Sequence, residues 1–190
     1  VEYSSGRLGK VVSFLVDVMT GLPSIVAGLF ILALWIIVLG FSYSGLAGSL
    51  ALFILMLPTV VRSSEEMLKL VPLGLREASY ALGVAKWITV LRVVLPTALP
   101  GIVTGIMLAI ARVMGETAPV LLTVFGNSSI NLDPFSGPQS SLPLFVYSEA
   151  MLPNGTATDR AWAGALTLIA IVLLLNLAAR ALSRFAGVRK

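Results

Sequence analysis

The sequence predicts an all-α, polytopic membrane helix bundle. Three observations carry that prediction: the composition, four long apolar segments, and the uneven placement of lysine and arginine. Of 190 residues, 57% are hydrophobic and 12% charged, with a mean hydropathy of +0.98. Such a chain has too little polar material to coat one water-surrounded core. A net charge of +4 and a pI near 9.8 would suggest nucleic acid in a soluble chain. Here they follow from keeping basic residues on one face of a bilayer, so membrane lipid and no nucleic acid is the expected partner. Cysteine and histidine are both absent, which removes disulfides, thiolate nucleophiles, imidazole metal ligands and histidine proton relays. Neither a catalytic site nor a metal site is expected.

The elements follow in order. Over residues 11–20, Lys10, Ser13, Asp17 and Thr20 share one helical face and Val11, Phe14, Leu15 and Val18 the other, the period of an amphipathic helix lying at an interface. Asp17 reads as a solvated residue at headgroup level. Gly21 and Pro23 break that helix before the first crossing. A hydrocarbon core of about 30 Å needs about 20 apolar helical residues, and residues 22–40, 45–61, 101–124 and 161–182 qualify. The first two are joined by four residues, enough only for an antiparallel hairpin. Residues 125–160 hold Pro134, Pro138, Pro143 and Pro153 with three glycines, and read as loop with one short helix over 142–150.

Arg62, Lys69, Arg76, Lys86 and Arg92 fall between the second and third spans, and Arg180, Arg184, Arg189 and Lys190 at or beyond the fourth. Only Arg160 lies in the 125–160 connection. The positive-inside rule therefore places residues 62–100 and the C-terminus in the cytoplasm and residues 125–160 outside, with Arg7 and Lys10 in agreement. The chain does not begin with Met and shows no signal peptide, and reads as a piece of a longer protein.

Within 62–100, Pro72 opens a short helix over 73–82, Gly83 supplies a turn, and residues 86–94 form a second short helix ended by Leu95-Pro96. The third span carries Ala-Arg-Val-Met-Gly-Glu-Thr-Ala-Pro over 111–119. A central membrane Arg costs about 2.5–3.5 kcal/mol on insertion scales, so such residues face protein or water and are functional by default. At about 100° per residue, Gly101, Gly105, Ala109, Arg112 and Glu116 share a narrow sector, which places the charges on the face where small residues let helices approach. Arg112 and Glu116, spaced i, i+4, are within reach of each other. Pro119 cannot bond the carbonyl of Gly115 and loosens the helix beside Glu116.

Arg76-Glu-Ala-Ser-Tyr-Ala-Leu-Gly83, then nine residues, then Val-Val-Leu-Pro96 closely resembles the EAA loop of ABC importer permeases. Ser79 stands where the motif's second Ala is usual, and Val93 where Ile is usual. The run Gly-Glu-Thr-Ala-Pro with Arg112, Leu57-Pro58 with Arg62, and Leu22-Pro-Ser-Ile-Val-Ala-Gly-Leu29 narrow the resemblance to PstA-type permeases of phosphate ABC importers, from about Glu2 to Arg184. The resemblance implies a single transmembrane permease domain over 1–190, lacking further N-terminal helices, in a bacterial inner membrane. It implies a cytoplasmic coupling loop that docks an ATPase through Glu77, Ala78, Ser79 and Gly83. The implied partners are a PstC-type permease, a PstB-type ATPase dimer and a PstS-type phosphate-binding protein. No Gly-rich nucleotide loop occurs, so ATP and Mg belong to the partner ATPase, and this chain is a transporter subunit with no enzymatic step of its own.

On that reading Arg112, Glu116 and Arg62 line the substrate pathway. Guanidinium forks match phosphate oxygens, and a carboxylate suits a protonated phosphate, whose O–H sulfate lacks at neutral pH. Glu116 equally serves by pairing with Arg112 and holding helices together, and Arg62 by snorkelling to headgroups. The other readings are a permease for sulfate or molybdate, and a non-transporting scaffold. An intramembrane enzyme using Glu116 or Asp17 lacks a second carboxylate placed beside Glu116 by sequence.

Overall fold

A computed structural model describes the backbone of residues 6–187 and side chains through Ala181. Arg189, Lys190 and the side chain of Arg184 lie outside the described residues. The elements are α1 (Arg7–Thr20), α2 (Ser24–Ile31) continuing as a π-helical stretch (Leu32–Val38), α3 (Gly45–Lys69), α4 (Leu73–Ala81) and α5 (Lys86–Thr89). A second π-helical stretch (Val90–Val94) then leads into α6 (Leu95–Val113), followed by α7 (Ala118–Val124), α8 (Leu142–Ala150) and α9 (Gly155–Gly187). Three helices are long and apolar enough to cross a membrane, Gly45–Lys69, Lys86–Val113 and Gly155–Ala181. A fourth is added if Arg7–Thr20 and Ser24–Val38 count as one.

The expected apolar segments are thus helical, with three differences at their ends. The third crossing is displaced: it starts at Lys86 and stops at Val113, and residues 114–117 separate it from α7. Leu95-Pro96 does not end the helix that precedes it. Pro96 has no N–H, and in a regular α-helix its ring would press on the carbonyl of Arg92. The wider π-helical turn over Val90–Val94 relieves that clash, so the helix runs on. The first crossing is only partly α-helical. Its π-helical end closes through Leu39 N–H donating to the Leu34 carbonyl at 3.0 Å.

Two compact units divide the chain. One holds residues 1–20, 58–109 and 176–190, the other 21–57 and 110–175. In the first, Val71, Val94 and Ala98 form a core joined by Met67, Leu68 and Ile102, with Gly101 against Met67 and Gly105 against Ser63. In the second, Ile31, Ala47 and Ala51 pack with Trp35, Leu50 and Ile54, and Val120, Val124 and Leu144 with Leu52. Ala47, Ala51, Ala98, Gly101 and Gly105 take part in these contacts because lipid offers no hydrophobic drive between helices, so attraction gains from close backbone approach. The outward side is apolar: on α9, Trp162, Leu166, Ile169, Leu173 and Leu174 are exposed.

The connection over 125–160 is ordered. Leu46 N–H donates to the Pro134 carbonyl at 2.8 Å and Gln139 N–H to the Val124 carbonyl at 3.3 Å. Asp133 accepts from Ser136 Oγ at 2.6 Å and Phe135 N–H at 2.9 Å, which lowers its pKa below the usual carboxylate value. The helix expected over 142–150 is present as α8, capped by Ser141 Oγ accepting from Leu144 N–H.

A β-carbon placed on Gly28 would sit 2.7 Å from the Cα of Pro119, a backbone atom that cannot swing aside. Gly28→Ala should therefore destabilise the full-length protein in detergent by about 1–3 kcal/mol, read as a lowered thermal midpoint. Gly74→Ala, in α4 with nothing within 4 Å, should be neutral or raise stability by up to about 1 kcal/mol.

Candidate functional site

Three groups of residues bear on function. The first surrounds Arg62, near the C-terminal end of α3. Arg62 Nη2 is paired with Asp17 of α1, and Nη1 donates to Glu65 Oε2 at 2.9 Å. Glu65 Oε1 accepts from Lys69 Nζ at 2.6 Å. One guanidinium is thus held by two carboxylates, one of which is shared with a lysine. Asp17, read from the sequence as a solvated headgroup-level residue, instead ties α1 to α3. Helical periodicity puts Asp17 on a polar face, but no local signal names a partner 45 positions away. Arg62 is 34% and Asp17 56% exposed on the side chain, so solvent screening keeps the pair's contribution small.

The second group is Arg112 and Glu116. Arg112 stands in the last turn of α6. Beyond it, Gly115 N–H donates to the Arg112 carbonyl at 3.2 Å and Glu116 N–H to the Val113 carbonyl at 3.1 Å, tight i→i+3 turns that end the helix. Thr117 is the N-cap of α7 and Pro119 lies in its first turn, where a missing N–H is harmless. The shared helical face expected for Arg112 and Glu116 is therefore broken between them. Proline at the start of α7 and flexible Gly115 favour that break over a continuous span. Among the described residues neither Arg112 nor Glu116 has an ion pair or side-chain hydrogen bond. Arg112 is exposed and Glu116 half-buried.

The third group is the elbow between α3 and α6. Pro72 caps α4 with extended backbone, φ −55 and ψ 135, and Arg76 Nη2 donates to the Leu68 carbonyl at 2.8 Å. Gly83 turns the chain with φ +75, a left-handed conformation that favours glycine. Its N–H donates to the Tyr80 carbonyl at 2.9 Å. Glu77 and Ala78 are exposed, whereas Ser79 is buried. Leu73, Leu82 and Trp87 leave an apolar exterior.

Residues 2–187 match the family described as binding-protein-dependent transport system inner membrane component. The chain belongs to that family. It is therefore an integral component of an inner membrane, with the all-α bundle expected from the sequence. Over 190 residues it is 57% identical to the phosphate transport system permease protein PstA 1 of Mycobacterium tuberculosis (strain CDC 1551 / Oshkosh), covering 100% of this chain and 62% of that protein. The PstA protein of Mycobacterium leprae is 55% identical over 190 residues, covering 100% and 62%. That of Xylella fastidiosa (strain Temecula1) is 44% identical over 182 residues, covering 95% and 63%. The chain thus spans less than two thirds of these relatives. Among solved structures, an inward-facing form of the MetNI methionine ABC transporter matches with a TM-score of 0.73 at 23% identity, covering 95% of this chain and 76% of that one. A second crystal form gives a TM-score of 0.75 at 23% identity, covering 97% and 78%. The fold of this family member is that of the ABC importer permeases.

Asp17→Asn removes one of the two carboxylates on Arg62. It should cost less than about 1 kcal/mol of global stability yet speed amide hydrogen exchange in α1, while exchange in α9 stays unchanged.

Proposed function

We propose that this chain is a permease subunit that moves inorganic phosphate into the cell by alternating access, driven by ATP hydrolysed on a partner. The observation that carries the reading is Arg112, a guanidinium in the last turn of a membrane-crossing helix, exposed and unpaired among the described residues. Such a cation is costly at bilayer depth unless another subunit, water or an anion meets it. Inorganic phosphate matches its planar donors, and the PstA relatives are phosphate permeases by name. Glu116, on the far side of the helix break, accepts from a phosphate O–H in this scheme. Arg62 contributes to the route only by leaving Asp17 and Glu65, so it acts at the cytoplasmic end.

The complete transporter pairs this chain with a PstC-type permease, two PstB-type ATPase subunits and a PstS-type binding protein. ATP and Mg sit on the ATPase, which receives the elbow through Glu77, Ala78 and Gly83; Ser79, expected in the same docking set, is buried against Thr89 and is left out of it. The C-terminus lies in the cytoplasm, as the basic residues flanking α3 and α9 favour. Closure of the ATPase pair moves the elbow, and the permeases exchange inward-open and outward-open states.

Arg112→Gln and Glu116→Gln should each lower phosphate uptake by about 10–100-fold, the loss of one or two charge-assisted hydrogen bonds, with the assembled complex still purified intact. Normal phosphate flux in both would remove the pathway role. Excess sulfate should leave uptake unchanged; equal competition would mark a general oxyanion permease.

Gly83→Ala places a β-carbon in left-handed backbone at about 1–2 kcal/mol. It should reduce ATPase recovered with the full-length permease, with Gly83→Asn milder because Asn tolerates that backbone. Unchanged recovery in Gly83→Ala and Glu77→Lys alike would contradict the docking role.

A further inference from the structure

Ser79 is the member of the Glu77-Ala78-Ser79 run that turns away from solvent. Its Oγ lies 2.8 Å from Thr89 Oγ1, and either hydroxyl can donate. Thr89 is fully buried and Ser79 retains only 8% exposure. Thr89 Oγ1 also faces the Ala85 carbonyl at 3.4 Å, and the Ser79 main-chain carbonyl accepts from Val84 N–H at 3.2 Å. The last residue of α5 is therefore fastened to the last turn of α4 by a side-chain bond that bypasses Gly83. Without it the two arms would be joined through a glycine turn whose added β-carbon meets nothing within 4 Å. Thr89 also sits directly before the π-helical stretch that opens into α6.

We propose that Ser79 and Thr89 form a positioning brace that makes the two arms of the elbow move as one body, so that a push received by α4 is delivered to the base of the Lys86–Val113 helix. This rests on the elbow being the ATPase-coupling element. A hydroxyl pair is suited to the task because it is directional and, once buried, each partner is penalised for losing the other. An alanine at position 79 would pack there without specifying the angle between the arms. Ser79, the departure from the usual motif, thus acquires a use that depends on the residue ten positions later.

The test uses the full-length permease assembled with its co-purified ATPase in proteoliposomes. Thr89→Val keeps the volume and removes the hydroxyl; it should lower phosphate moved per ATP hydrolysed by about five-fold, the population change expected for one net hydrogen bond, while basal ATP hydrolysis persists. Thr89→Ser should restore the ratio. Because the chain has no cysteine, spin labels on cysteines introduced at Leu75 and Arg92 report the distance between the arms independently of transport. Its distribution should broaden in Thr89→Val and narrow again in Thr89→Ser. Wild-type transport stoichiometry together with an unbroadened distance in Thr89→Val overturns the brace. If Thr89→Val fails to assemble, Ser79→Ala combined with Thr89→Val, which leaves neither hydroxyl orphaned, takes its place with the same two readouts. A wild-type complex without any ATPase would overturn the coupling reading itself. A broadened distance with unchanged stoichiometry would overturn the transmission step.

Discussion

Every backbone N–H and C=O inside a bilayer must find its partner within the protein, and this constraint shapes the rest of the molecule. Pro58 lies inside α3 and Pro100 inside α6, and each deletes a donor from its helix. Threonine hydroxyls satisfy themselves within the helix by donating to the carbonyl four residues back: Thr97 Oγ1 to Val93 at 2.6 Å, Thr104 Oγ1 to Pro100 at 2.9 Å, and Thr123 Oγ1 to Pro119 at 2.8 Å. Ahead of Pro96 the helix widens over Val90–Val94, and ahead of Pro119 it stops at Val113. Irregular backbone thus falls at three places: the end of the first apolar helix over Leu32–Val38, the foot of α6, and the turns that follow Arg112.

The same solvent explains what is buried. Ala47, Ala51 and Ala109 are almost wholly covered, while the large aliphatic side chains of α9 face outward. A soluble bundle inverts that pattern, since water rewards burying the large groups. In lipid the reward lies in close approach, which is why a residue as small as Gly28 is held against Pro119.

Much of this was legible in the residues. Hydropathy located the apolar helices, Pro72 and Gly83 marked the arms of the elbow, and the proline-rich segment over 125–160 revealed α8. The break at residues 114–117 was only half visible: Pro119 announced a weakened bond, but whether a helix bends or ends there depends on local turns that periodicity does not encode. The π-helical stretches leave the hydrophobic pattern almost unchanged and so pass unnoticed. The Asp17–Arg62 pair joins positions far apart in the chain, and the inward aim of Ser79 needs the register of α5, which no local signal supplies. Within the candidate site, charge in an apolar segment was enough to single out Arg112 and Glu116, though not to show that they part company.

The helix from Lys86 to Val113 contains 28 residues and is therefore about 42 Å long. Its first turn is α5, the arm that sets Thr89 against Ser79. Geometry alone then acts as an amplifier: tilting its foot by about 4° sweeps the far tip through about 3 Å, the span of a single hydrogen bond. A barely perceptible rocking at one end is thus enlarged, by length alone, to a displacement on the scale of atomic contacts.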